Sequence, residues 1–257
     1  MIDQLWLIPL GFVAGVLGSM IGLGGGIIIV PVLTFFGFSP TLAASNSLFA
    51  AFSNAVGSTI SYSRQKRIEY SLGLKLGLLT VPGTVFGAYI SSDVTPEIFK
   101  ILFGFVLIAS AVYIFLRKKI ESREKNLSAQ MMIFAVGASF FAGIISAFFG
   151  IGGGIIFVPL MVVGMGMAMK NAAPTSQLIL LFASLSGVVV HTILGHSDFL
   201  QAGLLGVGSF AGGIVGARLS VDIKERYLQI LVSVVIIAAA IKMFFDSLSD
   251  NLHLINN

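Results

Sequence analysis

Long apolar segments separated by short polar stretches make up almost the whole chain. Hydropathy places them at 5–36, 42–62, 72–90, 97–116, 130–163, 171–194, 199–217 and 226–245. Many are about 18–25 residues long, the length at which an α-helix crosses ~30 Å of hydrocarbon. The pattern therefore predicts an all-α polytopic membrane protein.

Composition agrees with a membrane location. Of the 257 residues, 56% are hydrophobic and 10% are charged, and the mean hydropathy is +1.01. A soluble domain carries about 25% charged residues. The chain has no cysteine, which excludes disulfides and thiolate metal sites. The N-terminal stretch MIDQLWLIPL lacks a basic region, so we do not expect a cleaved signal peptide.

The two halves of the chain repeat each other. The segment GLGGGIIIVPVL at 22–33 recurs as GIGGGIIFVPLM at 150–161, an offset of 128 residues. We call these two segments the glycine lines. A second block, VFGAYI at 85–90 and IVGARL at 214–219, matches at an offset of 129. We predict a first repeat at 1–116, a cytoplasmic linker at 117–128 and a second repeat at 129–257. A doubled chain of this kind is typical of secondary transporters.

Basic residues predict the orientation of the repeats, because Lys and Arg in short loops mark the cytoplasmic side. If each segment crossed once, four basic residues of the second half would lie outside, namely Lys170, Arg218, Lys224 and Arg226. If the first segment of each half is a hairpin that enters and leaves on one side, these four join the basic loops 63–70 and 117–125 in the cytoplasm. The second arrangement obeys the rule. It predicts inverted repeats in a multi-pass protein of the cytoplasmic membrane, with both termini external.

Segment length supports the hairpin. Segment 5–36 would be ~48 Å long as one helix, which is too long for a single crossing. Glycine weakens a helix, so the glycine lines are predicted to break each long segment into two pieces of ~16 residues. Each repeat is then a broken-helix hairpin followed by three transmembrane helices.

The glycine lines are the first candidate binding site. The candidate residues are Gly24, Gly25, Gly26, Gly152, Gly153 and Gly154. Where a helix restarts after a break, its free N–H groups and the positive end of its dipole attract an anion. Close helix packing by small residues is the alternative, and it is the interpretation preferred for Gly11, Gly15 and Gly18. A phosphate loop is not indicated, because no GK[ST] follows.

Polar side chains at the start of the second helix of each half form the other candidate. They are Ser45, Asn46, Thr175, Ser176 and Gln177. Hydroxyls and amides can donate hydrogen bonds to an anion, although they also join helices within a membrane. No Asp or Glu lies in the middle of a predicted span, which argues against a cation substrate. His191 is open to a proton-coupling role, a helix cap or an interfacial position.

The doubled G-x-G-G-G-x-x-x-x-P-x-[LM] line, in a chain of this length and hydropathy, resembles the TauE/SafE family of sulfite and organosulfonate exporters. The resemblance covers both halves. APTSQ at 173–177 fits the family's polar helix start, whereas ASNSL at 44–48 is a variant. It implies export of small sulfur-containing anions across the bacterial cytoplasmic membrane. An inside-negative potential favours that direction by ~2.3 kcal/mol per charge per 100 mV. We expect alternating access, with the anion held at helix N-termini near the midplane.

Two other functions stay open. An anion channel would share the helix ends and the polar lining, and a membrane subunit would dock a partner through the basic loop 117–128. An enzyme is not expected, because the chain has no HExxH motif, no serine elbow and no paired carboxylates. We expect no catalytic residues, cofactor, metal or nucleic acid. The expected partners are a small anion, membrane lipid and, as an option, a second copy of the chain.

Overall fold

The structure, a computed structural model, describes residues 4–91, 94–116 and 129–221 and the single positions 234, 237, 240 and 241. The helices are α1 Leu7–Ile21, α2 Gly26–Phe35, α3 Pro40–Arg64, α4 Tyr70–Ser91, α5 Pro96–Leu116, α6 Ala129–Phe149, α7 Gly154–Pro159, α8 Met169–Ile193 and α9 Phe199–Leu219. A π-helical turn, Leu160–Gly164, continues α7. The predicted linker 117–128 and almost all of segment 226–245 lie outside the described residues.

Four helical stretches in the described part of the chain are long and apolar enough to cross a membrane. They are Tyr70–Ser91, Met131–Phe149, Met169–Ile193 and Phe199–Leu219. Large apolar side chains are exposed on their outward faces, among them Ile133, Phe141, Ile193 and Val207. Helices that satisfy their own backbone groups and turn apolar side chains outward suit a lipid environment. The prediction of an all-helical membrane protein is confirmed.

Two of the long helices begin at side-chain caps. Ser39 precedes α3, and its hydroxyl oxygen accepts a hydrogen bond from the N–H of Leu42 at 3.4 Å. Asp198 precedes α9, and its carboxylate accepts from two N–H groups of the first turn at 3.0 and 3.1 Å. Such caps satisfy N–H groups that the start of a helix leaves without an intrahelical partner.

The first long segment is broken where the glycines predict. α1 ends at Ile21, Gly22 takes a left-handed φ of 81°, and α2 begins at Gly26. The ring centroid of Trp6, just before α1, lies 4.7 Å from that of Phe36, just after α2. The two ends of the segment are therefore neighbours, and α1 and α2 form a hairpin. Its arms have 15 and 10 residues, fewer than predicted, because α1 begins only at Leu7 and residues 22–25 form the turn before α2.

Small residues allow α1 to pack closely along α9. A Cβ atom at Gly15 would lie 2.7 Å from a backbone carbonyl oxygen of α9, and a Cβ atom at Gly11 would overlap another. A Cβ atom at Gly18 would overlap the backbone of Gly24 in the turn after α1. The packing role predicted for these three glycines is confirmed, because no larger side chain fits at any of them.

The contact between α6 and α4 repeats this arrangement with the two halves exchanged. Gly143, which matches Gly15 in the repeat, would place a Cβ atom against the carbonyl oxygen of Thr80. Gly83 would place one against the carbonyl oxygen of Phe140. The first helix of each half therefore packs on the fourth helix of the other half.

The second long helices of the two halves, α3 and α8, cross each other at the centre of the molecule. The hydroxyl of Ser58 donates a hydrogen bond to Oε1 of Gln177 at 3.2 Å. Further along, a Cβ atom at Gly187 would lie 3.0 Å from Cδ1 of Leu48. Residue numbers thus rise along α3 as they fall along α8, so these two helices run antiparallel.

Candidate functional site at the paired glycine turns

Each glycine line forms a turn that ends one helix and starts the next. We call residues 22–26 the first glycine turn and residues 150–154 the second. In the first, Gly24 has a φ of 78° and Gly25 a φ of −75°. In the second, Gly152 and Gly153 have φ angles of 80° and 83°. Gly25 and Gly153 match in the repeat but differ in conformation, because Gly153 is also left-handed whereas Gly25 is right-handed.

The two glycine turns lie against each other. A Cβ atom at Gly26, the first residue of α2, would overlap the carbonyl oxygen of Gly150. A Cβ atom at Gly154, the first residue of α7, would overlap the carbonyl oxygen of Gly22. The contact is reciprocal, and only glycine allows backbones to approach so closely. Each helix start therefore faces the backbone of the opposite turn.

A pair of serines binds the two turns together. The hydroxyl of Ser47 donates to the carbonyl oxygen of Gly150 at 2.8 Å, and the hydroxyl of Ser176 donates to that of Gly22 at 2.7 Å. Both serines are fully buried, and they match in the repeat at an offset of 129 residues. Each half supplies the serine that binds the glycine turn of the other half.

Gln177 adds a second link to the first glycine turn. Its Nε2 donates to the carbonyl oxygen of Gly18 at 3.1 Å, and its Oε1 accepts from Ser58 at 3.2 Å. The same Gly18 oxygen accepts backbone N–H groups from Gly22 and Leu23 at 2.9 and 3.0 Å. Gln177 therefore joins α3, α8 and the end of α1 at one buried point.

One apolar side chain, that of Leu180, lies between the two glycine turns. Cδ2 of Leu180 is 2.7 Å from the position of a Cβ atom at Gly24 and 3.2 Å from that of a Cβ atom at Gly152. Leu180 is fully buried and lies one helical turn after Ser176 on α8. Its match in the first half is Ala51, whose Cβ is 3.5 Å from a Cβ placed at Gly152. The centre of the site is thus bulky on the α8 side and small on the α3 side.

The helix starts at the glycine turns carry free N–H groups. The Gly25 carbonyl accepts from Ile28 and Ile29, so the N–H groups of Gly25, Gly26 and Ile27 precede the helical ladder of α2. No side chain caps the start of α2 or of α7. The partial positive charge of these helix ends is therefore directed at the contact between the turns.

Two buried polar side chains have no hydrogen-bond partner among the described residues, the hydroxyl of Ser146 and the carboxamide of Asn54. Cβ of Ser146 lies 3.5 Å from the position of a Cβ atom at Gly153, beside the second glycine turn. Oδ1 of Asn54 lies 2.6 Å from the position of a Cβ atom at Gly213, so Asn54 faces α9. An unpaired buried polar group is unfavourable by about 1–3 kcal/mol, so such groups favour a polar ligand nearby.

The other predicted polar residues lie away from the glycine turns. Asn46 donates to Gln201 at 2.9 Å and accepts from the backbone N–H of Asp198 at 3.2 Å. Thr175, its match in the second half, accepts from the backbone N–H of Glu69 at 3.0 Å. Ser45 lies 2.6 Å, Oγ to Oγ, from Ser197 in the turn between α8 and α9. These three side chains bind the turns that precede α4 and α9.

Sequence reasoning missed two residues that the structure brings to the turns, Ser47 and Leu180. Ser47 had a signal, because it aligns with Ser176 in the repeat. Leu180 had none, since it resembles every other apolar residue of a membrane helix. Its contacts depend on how α8 packs against the two turns.

The two ends of the molecule carry matched but chemically different contacts. At one end, the Tyr62 hydroxyl donates to the Ser19 carbonyl oxygen at 2.9 Å, and the Arg67 guanidinium lies 5.3 Å from the Tyr62 ring centre. At the other end, the corresponding residues are His191 and His196, whose Nδ1 atoms are 3.1 Å apart. Partial burial lowers the pKa of His196 in its turn. His191 is fully buried, so of the alternatives left open for it an interfacial position does not apply.

Within the described ranges, no three His, Cys, Asp or Glu side chains group as metal ligands do. The helices suited to crossing a membrane, the broken hairpin and the buried contact between two glycine turns define a polytopic membrane protein. The family model described as sulfite exporter TauE/SafE matches residues 7–243, so the chain belongs to that family.

The chain is similar to curated relatives over almost their whole length. The chain is 29% identical to the "Probable membrane transporter protein YunE" of Bacillus subtilis, covering 94% of this chain and 97% of the relative. It is 27% identical to the "Probable membrane transporter protein MJ0441" of Methanocaldococcus jannaschii, over 88% and 90% of the two chains. It is 24% identical to YfcA of Escherichia coli K12, over 96% and 93%. No solved structure matches the chain. These names identify a membrane transporter and not an enzyme.

Proposed function

We propose that this protein is a secondary transporter that exports a small sulfur-containing anion, sulfite or an organosulfonate, across the cytoplasmic membrane. The observation that carries the proposal is the contact of the two glycine turns. Gly26 at the start of α2 and Gly154 at the start of α7 each face the backbone of the opposite turn. Two positively polarised helix ends thus converge at one buried point, where an anion is stabilised by backbone N–H groups.

The proposed site consists of the glycines at 24–26 and 152–154 with Ser176, Gln177 and Ser47. In the described conformation the two serine hydroxyls donate to carbonyl oxygens of the turns. When the halves separate, the same hydroxyls become free to donate to an anion. Ser146, buried beside Gly153 without a hydrogen-bond partner among the described residues, supplies a further polar atom close by. We assign Ser45, Asn46 and Thr175 a positioning role, because they bind the turns before α4 and α9.

We propose that the two halves are inverted repeats that move against each other in alternating access. The antiparallel crossing of α3 and α8 supports this orientation, because the matched helices of inverted repeats point in opposite directions. The neighbouring ends of the first hairpin support it as well, through Trp6 and Phe36.

Charge supports a cytoplasmic assignment for one end of the molecule. Arg67 donates from Nε to the carbonyl oxygen of Lys170 at 2.8 Å and from a terminal nitrogen to Ser220 at 2.9 Å. Basic residues from both halves therefore gather at the end that contains the α3–α4 turn. By the positive-inside rule that end is cytoplasmic, and both termini are external.

The family description, which names a sulfite exporter, supports the proposal of a sulfur-containing substrate. The relatives are named as membrane transporters without a substrate. Export needs no coupling ion, because an inside-negative potential drives an anion outward by ~2.3 kcal/mol per charge per 100 mV.

Flux into proteoliposomes tests the function. The purified chain is reconstituted, a potential is imposed with potassium and valinomycin, and uptake of sulfite, sulfoacetate, taurine and sulfate is followed against concentration. We expect saturable flux of sulfite or of an organosulfonate, and its loss in Gly153→Leu. Flux that rises without saturation would instead identify an anion channel. If none of these four compounds is transported saturably, the substrate assignment is wrong.

Cysteine labelling tests the orientation, since the chain has no native cysteine. Ser63→Cys lies at the proposed cytoplasmic end and Ser197→Cys at the opposite end. We expect a membrane-impermeant maleimide added to intact cells to label Ser197→Cys, whereas Ser63→Cys should react only after lysis. Equal labelling of both from outside would contradict the inverted arrangement. The mass of the detergent-solubilised protein in the same preparation distinguishes a monomer from a homodimer.

A further inference from the structure

Leu180 differs from the other neighbours of the glycine turns. Gly22, Gly26, Gly150 and Gly154 meet backbone atoms, which cannot move without shifting a helix. For Gly24 and Gly152 the nearest neighbour is instead the methyl end of the Leu180 side chain, at 2.7 and 3.2 Å from their Cβ positions. A leucine side chain changes rotamer without any backbone movement. Leu180 is therefore the neighbour that yields most easily at the centre of the site.

The position of Leu180 on α8 relates it to the polar part of the site. Ser176, one turn earlier on the same helix, binds the first glycine turn at 2.7 Å. Gln177 lies three residues before Leu180 and binds the end of α1. A ligand that reaches both glycine turns and the Ser176 hydroxyl must therefore contact the Leu180 side chain or displace it.

The matched position in the first half makes the site asymmetric. Ala51 has a single methyl group there, and that methyl lies 3.5 Å from a Cβ placed at Gly152. The space between the turns is thus limited from the α8 side. A change of volume at residue 180 should alter that space, whereas Ala51 leaves little side chain to remove.

We infer that Leu180 is a specificity-determining residue, an apolar wall that packs against both glycine turns and sets the size of the anion that the site accepts. The inference rests on the proposed function. The polar part of the site contacts the charged sulfur-oxygen group, and the Leu180 side chain meets the remainder of the substrate. A small inorganic anion such as sulfite leaves the wall in place. An organosulfonate with a carbon chain needs it displaced.

Competition between anions of different length tests this inference. The ratio of sulfoacetate flux to sulfite flux is measured in proteoliposomes for wild type, Leu180→Ala, Leu180→Met and Leu185→Ala. Leu185 lies on the same helix but is 41% exposed, so it controls for loss of an apolar side chain from α8. Because one methylene changes discrimination about 10-fold or more, we expect Leu180→Ala to raise the ratio at least tenfold. The ratio should stay near wild type in Leu180→Met and Leu185→Ala.

A second readout does not depend on transport or on the stability of the alanine variant. In Leu180→Cys, a thiolate in the site attacks 2-sulfonatoethyl methanethiosulfonate, forming a mixed disulfide and releasing methanesulfinate. We expect this anionic reagent to label Leu180→Cys and sulfoacetate to slow the labelling. Leu107→Cys, at a fully buried position away from the turns, should stay unlabelled.

The two readouts separate the possible failures. If Leu180→Cys is labelled and sulfoacetate slows the labelling, but the protein transports none of the anions, then Leu180 lines an anion site and the transport function is wrong. Transport with an unchanged flux ratio in Leu180→Ala overturns the role of Leu180, as does a Leu180→Cys variant that the reagent does not label.

Discussion

The hydroxyl of Ser176 donates a 2.7 Å hydrogen bond to the carbonyl oxygen of Gly22, from α8 of the second half to the glycine turn of the first. Ser47 makes the matching bond to Gly150 at 2.8 Å. A glycine turn leaves carbonyl groups without an intrahelical donor, and burial away from water makes an unpaired carbonyl unfavourable. The two bonds thus stabilise both turns and join the halves where the proposed anion binds.

Removal of the Ser176 hydroxyl should destabilise the protein. Ser176→Ala leaves the Gly22 carbonyl without its buried donor, so we expect unfolding to become easier by about 1–3 kcal/mol. The melting temperature of the detergent-solubilised protein measures the loss. Ser63→Ala is the control, since the Ser63 hydroxyl bonds within its own helix to Ile60 at an exposed position. Equal losses in the two variants would contradict a special role for the Ser176 bond.

Alanine at the matched glycines Gly25 and Gly153 should have unequal effects. A Cβ atom at either position would lie 3.2 Å from a backbone atom of the preceding helix, so the steric contacts are similar. The φ angles are −75° and 83°. Left-handed backbone is unfavourable for an L-residue by roughly 1–2 kcal/mol, so Gly153→Ala should lower stability by about that much more than Gly25→Ala. Thermal unfolding of the two variants side by side checks this, and equal melting temperatures would show that Gly153 tolerates a side chain.

Two glycines of α9 should respond to alanine in opposite directions. A Cβ atom at Gly212 would overlap the carbonyl oxygen of Phe12 on α1, whereas one at Gly203 would meet nothing within 4 Å. Alanine is favoured over glycine in a helix by about 0.8–1.0 kcal/mol, so Gly203→Ala should raise the melting temperature slightly. Gly212→Ala should lower it and reduce the yield of monodisperse protein on gel filtration. A neutral Gly212→Ala would show that α1 and α9 are not in close contact.

The contact between His191 and His196 should make stability depend on pH. Nε2 of His191 lies 3.0 Å from the Ala147 carbonyl oxygen, a pure acceptor, so this nitrogen carries the hydrogen. In neutral His191 the Nδ1 atom is then an acceptor, and Nδ1–H of His196 donates to it across 3.1 Å. The contact thus needs one hydrogen between the two Nδ1 atoms.

The sign of the effect follows from His196. Partial burial lowers the pKa of His196, so the folded protein binds the proton more weakly than the unfolded chain does. Stability from this group is present above the ordinary histidine pKa of about 6.5 and is lost as pH falls below it. We expect the melting temperature to fall between about pH 7 and 5, and to fall less in His196→Asn, which has an N–H donor but no titration. His253→Gln is the matched control. If the melting temperature of His196→Asn falls as much as that of wild type, the contact between His191 and His196 is not the cause of the pH dependence.

Hydropathy and glycine content determined the membrane architecture without any structure. A helix needs its length of apolar residues to cross lipid, and glycines weaken it wherever they gather. Both effects are local, so the break between Ile21 and Gly26 could be predicted from the chain alone. The repeat was equally visible, because matched residues such as Gly15 and Gly143 keep a constant offset.

Tertiary structure decided which polar side chains reach the glycine turns. Periodicity places Asn46 and Ser47 on α3 but does not say which neighbour each one faces. The crossing of α3 with α8 and α9 turns Ser47 toward Gly150 and Asn46 toward Gln201. The same crossing brings Leu180 between Gly24 and Gly152. The sequence by itself thus determined the helices and their breaks, through local length and propensity. The contacts of the site come from residues far apart in the chain, and only the packing of the two halves brings them together.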